Sequence, residues 1–357
     1  MGRGNNSRSI FSGKGKRHPV RAFFIWSLLI LLTLCLVIAV MNFGTNTQIH
    51  IARETVTVWN LPKALDGFTI LHISDLHGVR FRDGQAGLGK ALEGLYYKAV
   101  VITGDMVGKR GDHLPFMELL KVLNPEAPVF FIAGDEDPAP LLYEAHGSPE
   151  PLNAYIIGAM EQGAVYVDAP VSLEVDRSVI WFCPENQYGL DAVSQARAFA
   201  AQRDHIVASG LKDTPDGAAG IRALEYRIDT MNRLALARTL MDEADYQIVL
   251  AHQPLTDAYF YEMDIYQSEE VMSLSHAILA LSGHYCGGQW RLPWTDRALY
   301  VPGLGYQPEE RQYVGLSRPG GLTQYISPGL GAAGFYRFQP GRLYNPPAVT
   351  LITLSGR

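Results

Sequence analysis

Five short apolar runs in this chain each end in residues that can bind a metal ion or move a proton. Thr69–Ile73 is followed by Ser74-Asp75-Leu76-His77, Ala99–Thr103 by Gly104-Asp105, and Val129–Ala133 by Gly134-Asp135-Glu136-Asp137. Tyr246–Leu250 is followed by Ala251-His252, and Ala277–Leu281 by Ser282-Gly283-His284-Tyr285-Cys286. Taken singly, an Asp after a strand is usually a cap or turn residue. A lone His is usually a satisfied structural residue. Five strand ends that together supply carboxylates, imidazoles and a thiol are better explained by a metal cluster. The remaining histidines fit the structural explanation. They are His72 within its strand, His205 in a helical stretch, and His18, His50, His113, His146 and His276 elsewhere.

The runs that must position these groups alternate with helical stretches. Further strands are expected at Thr55–Trp59, Ala164–Val167, Val179–Phe182, Gln324–Ile326 and Val349–Leu354. Helices are expected at Gln85–Tyr96, Leu114–Val122, Pro151–Glu161, Ser194–Ala208 and Ala218–Asp245. Val- and Ile-rich strands separated by helices imply a layered α/β domain. Such sheets bind ligands beyond the C-terminal ends of their strands, which is where the polar residues fall. The C-terminal third, richer in Gly and Pro, reads as loops and short strands.

The blocks ILHISDLHG, VVITGDMV, FIAGDEDP, IVLAHQP and LALSGHYCGGQWRLP resemble, in order, those of calcineurin-like metallophosphoesterases. The stretch YISPGLGAAGFYRFQPGRLYNPPAVTLITL is similar to the ending of their membrane-anchored or exported bacterial branch. That branch includes phosphodiesterases linked to lipid and cell-envelope substrates. The resemblance runs from about Thr55 to the end. It implies an α/β four-layer sandwich, two β-sheets flanked by helices, and two divalent metal ions (Zn, Fe or Mn). Carried over by position, Asp75 and His77 bind the first metal, completed by Cys286. Asp105 bridges both. Asp135, His252 and His284 bind the second.

Two blocks depart from the family pattern. Gly-Asn-His-Asp/Glu is usual where this chain has Gly134-Asp135-Glu136-Asp137, so Asp135 replaces an Asn ligand. Glu136 replaces the His commonly assigned to proton donation and inherits that catalytic role. Gly-His-x-His is usual where this chain has Gly283-His284-Tyr285-Cys286, so Cys286 replaces the second His. A smaller departure is Gly108, where an Asp is common. Two ligand charges thereby become four, Asp75, Asp105, Asp135 and a Cys286 thiolate, against two divalent ions. Such a site is expected to hold metal well but to polarise water and attract a phosphate less. Cys286 has a competing fate in a disulfide with Cys183, which its place in a ligand slot disfavours.

Ala22–Met41 contains no charged residue in twenty. As a helix at about 1.5 Å per residue it spans roughly 30 Å, the thickness of a bilayer's hydrocarbon core. A cleaved signal would have a shorter apolar region and a small-x-small exit, and Val40-Met41-Asn42-Phe43 is not one. The expected organisation is a basic cytoplasmic tail (1–21), a membrane anchor (22–41), a linker (42–54) and a metallophosphoesterase domain (55–357). Arg3, Arg8, Lys14, Lys16, Arg17 and Arg21 precede the anchor with no acid among them, which keeps the N-terminus inside. The main domain is then extracytoplasmic, on a single-pass protein of the cell membrane.

The whole chain of 357 residues carries −6, so removing those six cations leaves −12 for the rest. So acidic a body is unsuited to nucleic acid, which needs a basic face. With 47% hydrophobic and 18% charged residues it can build a core, and disorder over most of its length is not expected. Three cysteines, Cys35, Cys183 and Cys286, make no disulfide framework. The expected function is phosphoester hydrolysis on a substrate in or near the bilayer, a phospholipid or an envelope precursor. The alternative is a metallophosphoesterase-like protein that binds metal or ligand without turnover.

Overall fold

The computed structural model describes residues 19–108, 111–144, 149–265, 271–293, 295, 297–333 and 341–357. His18, His146 and the basic leader before residue 19 lie outside the described residues. The chain divides into two units, 1–44 and 45–357.

Helix α1, Pro19–Asn46, dominates the first unit. Its apolar side chains from Val20 to Phe43 are mostly exposed. Its segment Val20–Asn46 is long and apolar enough to cross a membrane. Twenty-seven helical residues reach roughly 40 Å, longer than the expected twenty because Val20 and Arg21 at one end and Asn42 to Asn46 at the other belong to the helix.

The second unit follows in chain order. It comprises β1 (His50–Val58), β2 (Thr69–Ile73), α2 (Ala86–Leu92), β3 (Ala99–Thr103), α3 (Leu114–Val122), β4 (Val129–Ile132), α4 (Ala154–Glu161), β5 (Val165–Tyr166), β6 (Val171–Val175) and β7 (Ser178–Pro184). Then come α5 (Ala192–Ala208), α6 (Pro215–Leu240), β8 (Tyr246–Leu250), α7 (Asp257–Ile265), β9 (Ala277–Ser282), β10 (Tyr300–Val301), β11 (Gly305–Tyr306), β12 (Gly315–Ser317), β13 (Gln324–Ile326) and β14 (Ala348–Gly356). The expected linker is taken up from both sides, since α1 runs to Asn46 and β1 begins at His50. The C-terminal third is not only loops and short strands, because β14 spans nine residues.

One six-stranded sheet has the order β1-β14-β2-β3-β4-β5, the other β12-β13-β9-β8-β7-β6. Strands β2 to β5 pair in parallel, as do β7, β8, β9 and β13. The facing sides of the two sheets meet in one apolar core, with Val56, Ile70, Val101 and Ile132 opposite Ile180, Ile248, Leu250 and Leu281. Phe130 stacks on Phe182 across it at 4.2 Å. The outer face of the first sheet buries Leu71, Ile102 and Phe131 with Leu88, Phe116 and Ile156 of α2, α3 and α4. The outer face of the second buries Trp181 and Val249 with Phe199, Leu224 and Leu234 of α5 and α6. Because strands covered on both faces need apolar residues at every position, β2 and β3 are buried throughout. The result is the four-layer α/β/β/α sandwich that the sequence led us to expect.

Local chemistry starts the helices that flank the sheets. Asp191 accepts hydrogen bonds from Val193 N and Ser194 N at the start of α5. Thr214 caps α6, whose first residue is Pro215. Both occupy positions where a side-chain oxygen or a ring-fixed φ suits an orphaned helix start.

Candidate metal centre

The C-terminal ends of β2, β3, β4, β8 and β9 lie along neighbouring edges of the two sheets, and their loops converge. Asp75 N donates to Gly104 O at 3.0 Å and His77 N to Asp105 O at 2.8 Å, which ties the first two loops together. Asp137 fastens the third. Its Oδ1 accepts from Val107 N at 2.7 Å and Gly108 N at 3.2 Å, and its Oδ2 accepts from Gly134 N at 3.0 Å. Gly134 has to be glycine, because a Cβ there would lie 2.2 Å from both the backbone N and Oδ1 of Asp105.

All seven expected ligands come together. The ligand atoms of Asp75, His77 and Cys286 lie within 4.8 Å of one another, and so do those of Asp135, His252 and His284. Asp105 lies between the two sets. Its Oδ2 is 3.3 Å from His252 Nε2 and 3.7 Å from His77 Nε2. In the first set His77 Nε2 is 3.4 Å from Cys286 Sγ. In the second, His252 Nε2 is 2.9 Å from Asp135 Oδ1 and 3.3 Å from His284 Nδ1. Glu136 closes on the first set, with Oε2 3.3 Å from His77 Nδ1, and its backbone N donates to Asp105 Oδ1 at 2.8 Å.

Much of this convergence is held in an unfavourable backbone conformation. Asp75, His77, Asp105, His284 and Cys286 all have positive φ, from 48° to 77°. For non-glycine residues that costs on the order of 1–3 kcal/mol each, and such strain persists where the surroundings impose it, often at functional sites. A fold with no use for these side chains would be more stable with glycine or asparagine there.

The electrostatics of the protein groups alone call for positive charge. Burial pushes the Asp75 carboxyl up, and the Asp105 carboxylate adds to the effect. Burial acting alone would lower His252, but its contacts with Asp105 and Asp135 overcome that and raise it to about 12. His77 is likewise raised well above its ordinary value against the pull of burial, by Cys286, Glu136 and Asp75. Contacts with His252 and His284 hold Asp135 well below the usual carboxylate range. Burial pushes the Cys286 thiol up, and a coordinating cation deprotonates such a thiol outright. The cluster pulls protons onto its imidazoles where a metal family would place cations, so the donor set fits the metals that the fold implies.

This yields a measurable expectation. The two raised imidazoles are protonated at neutral pH unless a cation takes the place of the proton. Metal binding should therefore release protons and weaken as pH falls. Titration calorimetry with zinc in buffers of different ionisation enthalpy should read at least one proton released per protein at pH 7. No release would remove His77 and His252 from the ligand set.

The structural histidines behave differently. His72 is buried with Nε2 2.9 Å from Thr103 Oγ1, and burial lowers it to about 3, so it is neutral. Cys183 and Cys286 are both free thiols, so the disulfide does not form.

The profile of the calcineurin-like phosphoesterases matches residues 68–287. The chain belongs to that family. Its match spans all five strand-end loops of the centre. Among solved structures, this family member is similar to the phosphopantetheinyl hydrolase PptH from Mycobacterium tuberculosis. The identity is 16%, over 62% of this chain and 83% of that one, with a TM-score of 0.31. No curated protein sequence matches it significantly.

Several supporting residues of this calcineurin-like centre had escaped sequence reasoning. Ser74 Oγ donates to Asp75 Oδ2. Thr103 O lies 2.8 Å from His252 Nδ1, which directs Nε2 toward Asp105 and Asp135. Asn345 Nδ2 donates to Cys286 O at 2.8 Å. The buried guanidinium of Arg342 binds the carbonyls of Gly331, Pro328 and Asn345 at 2.6–2.8 Å, and so shapes the loop beneath Cys286. The Asp137 carboxylate, which joins two loops, was visible only as a neighbour of Glu136.

Proposed function

We propose that the domain is a metal-dependent phosphoesterase acting outside the membrane. Asp75, His77 and Cys286 would hold one divalent ion and Asp135, His252 and His284 a second, with Asp105 available to both. The observation that carries this reading is the placement of Asp105 between two separate three-residue donor sets, in a chain of the calcineurin-like family. Divalent zinc, iron or manganese bound there would polarise a phosphoryl oxygen and acidify a water. The protein's own groups prepare the site. His252 gives its Nδ1 proton to Thr103 O and keeps Nε2 for the centre. Glu136 holds His77 by Nδ1 in the same way, an orienting contact of the kind that metal sites need. The same Glu136 carboxyl stands beside the reacting centre, where it serves as the proton carrier for the leaving alcohol.

The test is metal analysis of the full-length protein in detergent micelles, with hydrolysis of bis(p-nitrophenyl) phosphate. Bound metal is expected, with turnover lost on chelation and restored by zinc or manganese. Metal bound without hydrolysis of any phosphate ester would favour the second reading, a metal-binding protein that has lost turnover. The four ligand charges and the Glu136 and Cys286 replacements motivate that alternative.

The substrate proposed for the site is a phosphate ester presented in or near the bilayer, on a phospholipid or an envelope precursor. The support is α1, a helix long and apolar enough to span a bilayer, preceded in sequence by a basic leader, the pattern expected of a cytoplasmic N-terminus and an outer domain. Protease added to intact cells should digest the domain. Full protection until lysis would reverse the orientation.

A further inference from the structure

A cavity of about 620 Å³ adjoins the candidate centre, within the usual size of ligand sites. Gly134 and His252 form the end of it that belongs to the centre, and the rest is walled by the loops after β4 and β7 and by α5 and α6. Leu141, Phe199 and Met231 give it apolar walls, and Glu185, Gln187 and Asp168 give it acceptors. Gln187 is nine-tenths buried, and its amide orientation is set by Nε2 donating to Asp168 O at 3.1 Å. Its Oε1 is buried and has no hydrogen-bond partner. A buried acceptor left in that state carries a desolvation penalty, and a ligand donor relieves it once the Gln187 side chain turns this oxygen into the cavity.

We propose that this cavity seats the alcohol portion of the phosphate ester, and that this portion is a neutral group bearing hydroxyl or amide N–H donors. The proposal rests on the phosphoesterase reading and specifies its substrate class. An acyl chain suits the cavity poorly, because it would cover the Glu185 and Gln187 side chains without bonding them. A second anionic group suits it poorly too. Away from the His252 end, which belongs to the metal centre, the one Lys or Arg lining the cavity among the described residues is Arg227, which sits over the Phe199 ring at 3.9 Å and donates to Tyr143 Oη at 3.0 Å. The Asp168 carboxylate is already occupied by Arg233, at 2.9 and 3.0 Å, and by Thr230 at 3.1 Å. Gln187 Oε1 and the partly buried Glu185, whose carboxyl is pushed up by burial, then remain as acceptors, with the amides of Asn186 and Gln195 also in the lining.

The probes are inorganic phosphate, n-propyl phosphate and glycerol 1-phosphate. Each is titrated calorimetrically into the metal-loaded full-length protein in micelles. Propyl and glyceryl differ only by two hydroxyls. Glycerol 1-phosphate should bind about tenfold tighter, the scale of one to two neutral hydrogen bonds. Gln187→Leu should remove that preference and leave inorganic phosphate unaffected. Leu141→Trp, which fills the cavity from the β4 side, should weaken both esters and spare inorganic phosphate. Equal or tighter binding of propyl phosphate overturns the inference while the centre stands. Failure to bind inorganic phosphate removes the phosphoesterase reading itself. Competition by glycerophosphoglycerol and by short-chain phosphatidylglycerol then reports whether the donor group arrives free or on a lipid. Displacement by either agrees with the cavity, and displacement by neither overturns it.

Discussion

Asp105→Ala is expected to remove most of the bound metal and to lower phosphoester hydrolysis by at least about 10³-fold. Asp105 is 1% exposed, and its Oδ2 approaches imidazoles of both donor sets, at 3.3 and 3.7 Å. The charge stabilisation that a metal centre supplies is worth several kcal/mol. At 1.36 kcal/mol per decade that becomes roughly three orders of magnitude. Elemental analysis beside a hydrolysis assay reads both effects. Wild-type metal content in the variant would show that the two sets do not share Asp105, and the ligand assignment would fall.

The second large effect is expected from one methyl group. Gly134→Ala places a carbon 2.2 Å from the backbone N and Oδ1 of Asp105, so the loops after β3 and β4 must separate. Overpacking of this kind costs about 1–3 kcal/mol. A misplacement of about 1 Å at a reacting centre costs roughly 10²-fold in rate. The variant should keep its circular dichroism, lose stability in a urea titration and hydrolyse about 10²-fold more slowly. A rate within twofold of wild type would show that the spacing of these loops is not what positions Asp105.

The candidate centre was legible because its residues follow strands whose runs are unmistakable. β2, β3, α3 and β13 fall at the residues expected, and each strand end then delivers its polar group to a common edge. What was missed has a physical pattern. β6 reads Val-Ser-Leu-Glu-Val, with Ser172 and Glu174 facing solvent, so as a sheet edge it lacks the apolar run that marks a buried strand. The first half of β1 is half-polar for the same reason. The parts of the site supplied by backbone carbonyls, such as Thr103 O, leave no trace in residue type. Glu185 and Gln187 were invisible because their significance lies in facing a cavity whose other walls come from distant segments. Nothing local foretells the position of β14 between β1 and β2.

That position of β14 also governs how the domain is made. β14 pairs with β1 through His50 and Ala348 and with β2 through Thr69 and Thr353, residues almost three hundred apart in the chain. Until β14 arrives, β1 has no neighbour in the sheet and β2 presents an open edge, a template for pairing with other chains. Assembly is therefore dominated by contacts distant in sequence, which slows folding. A chain stalled or clipped before Ala348 would expose these edges and aggregate rather than settle into a smaller stable form.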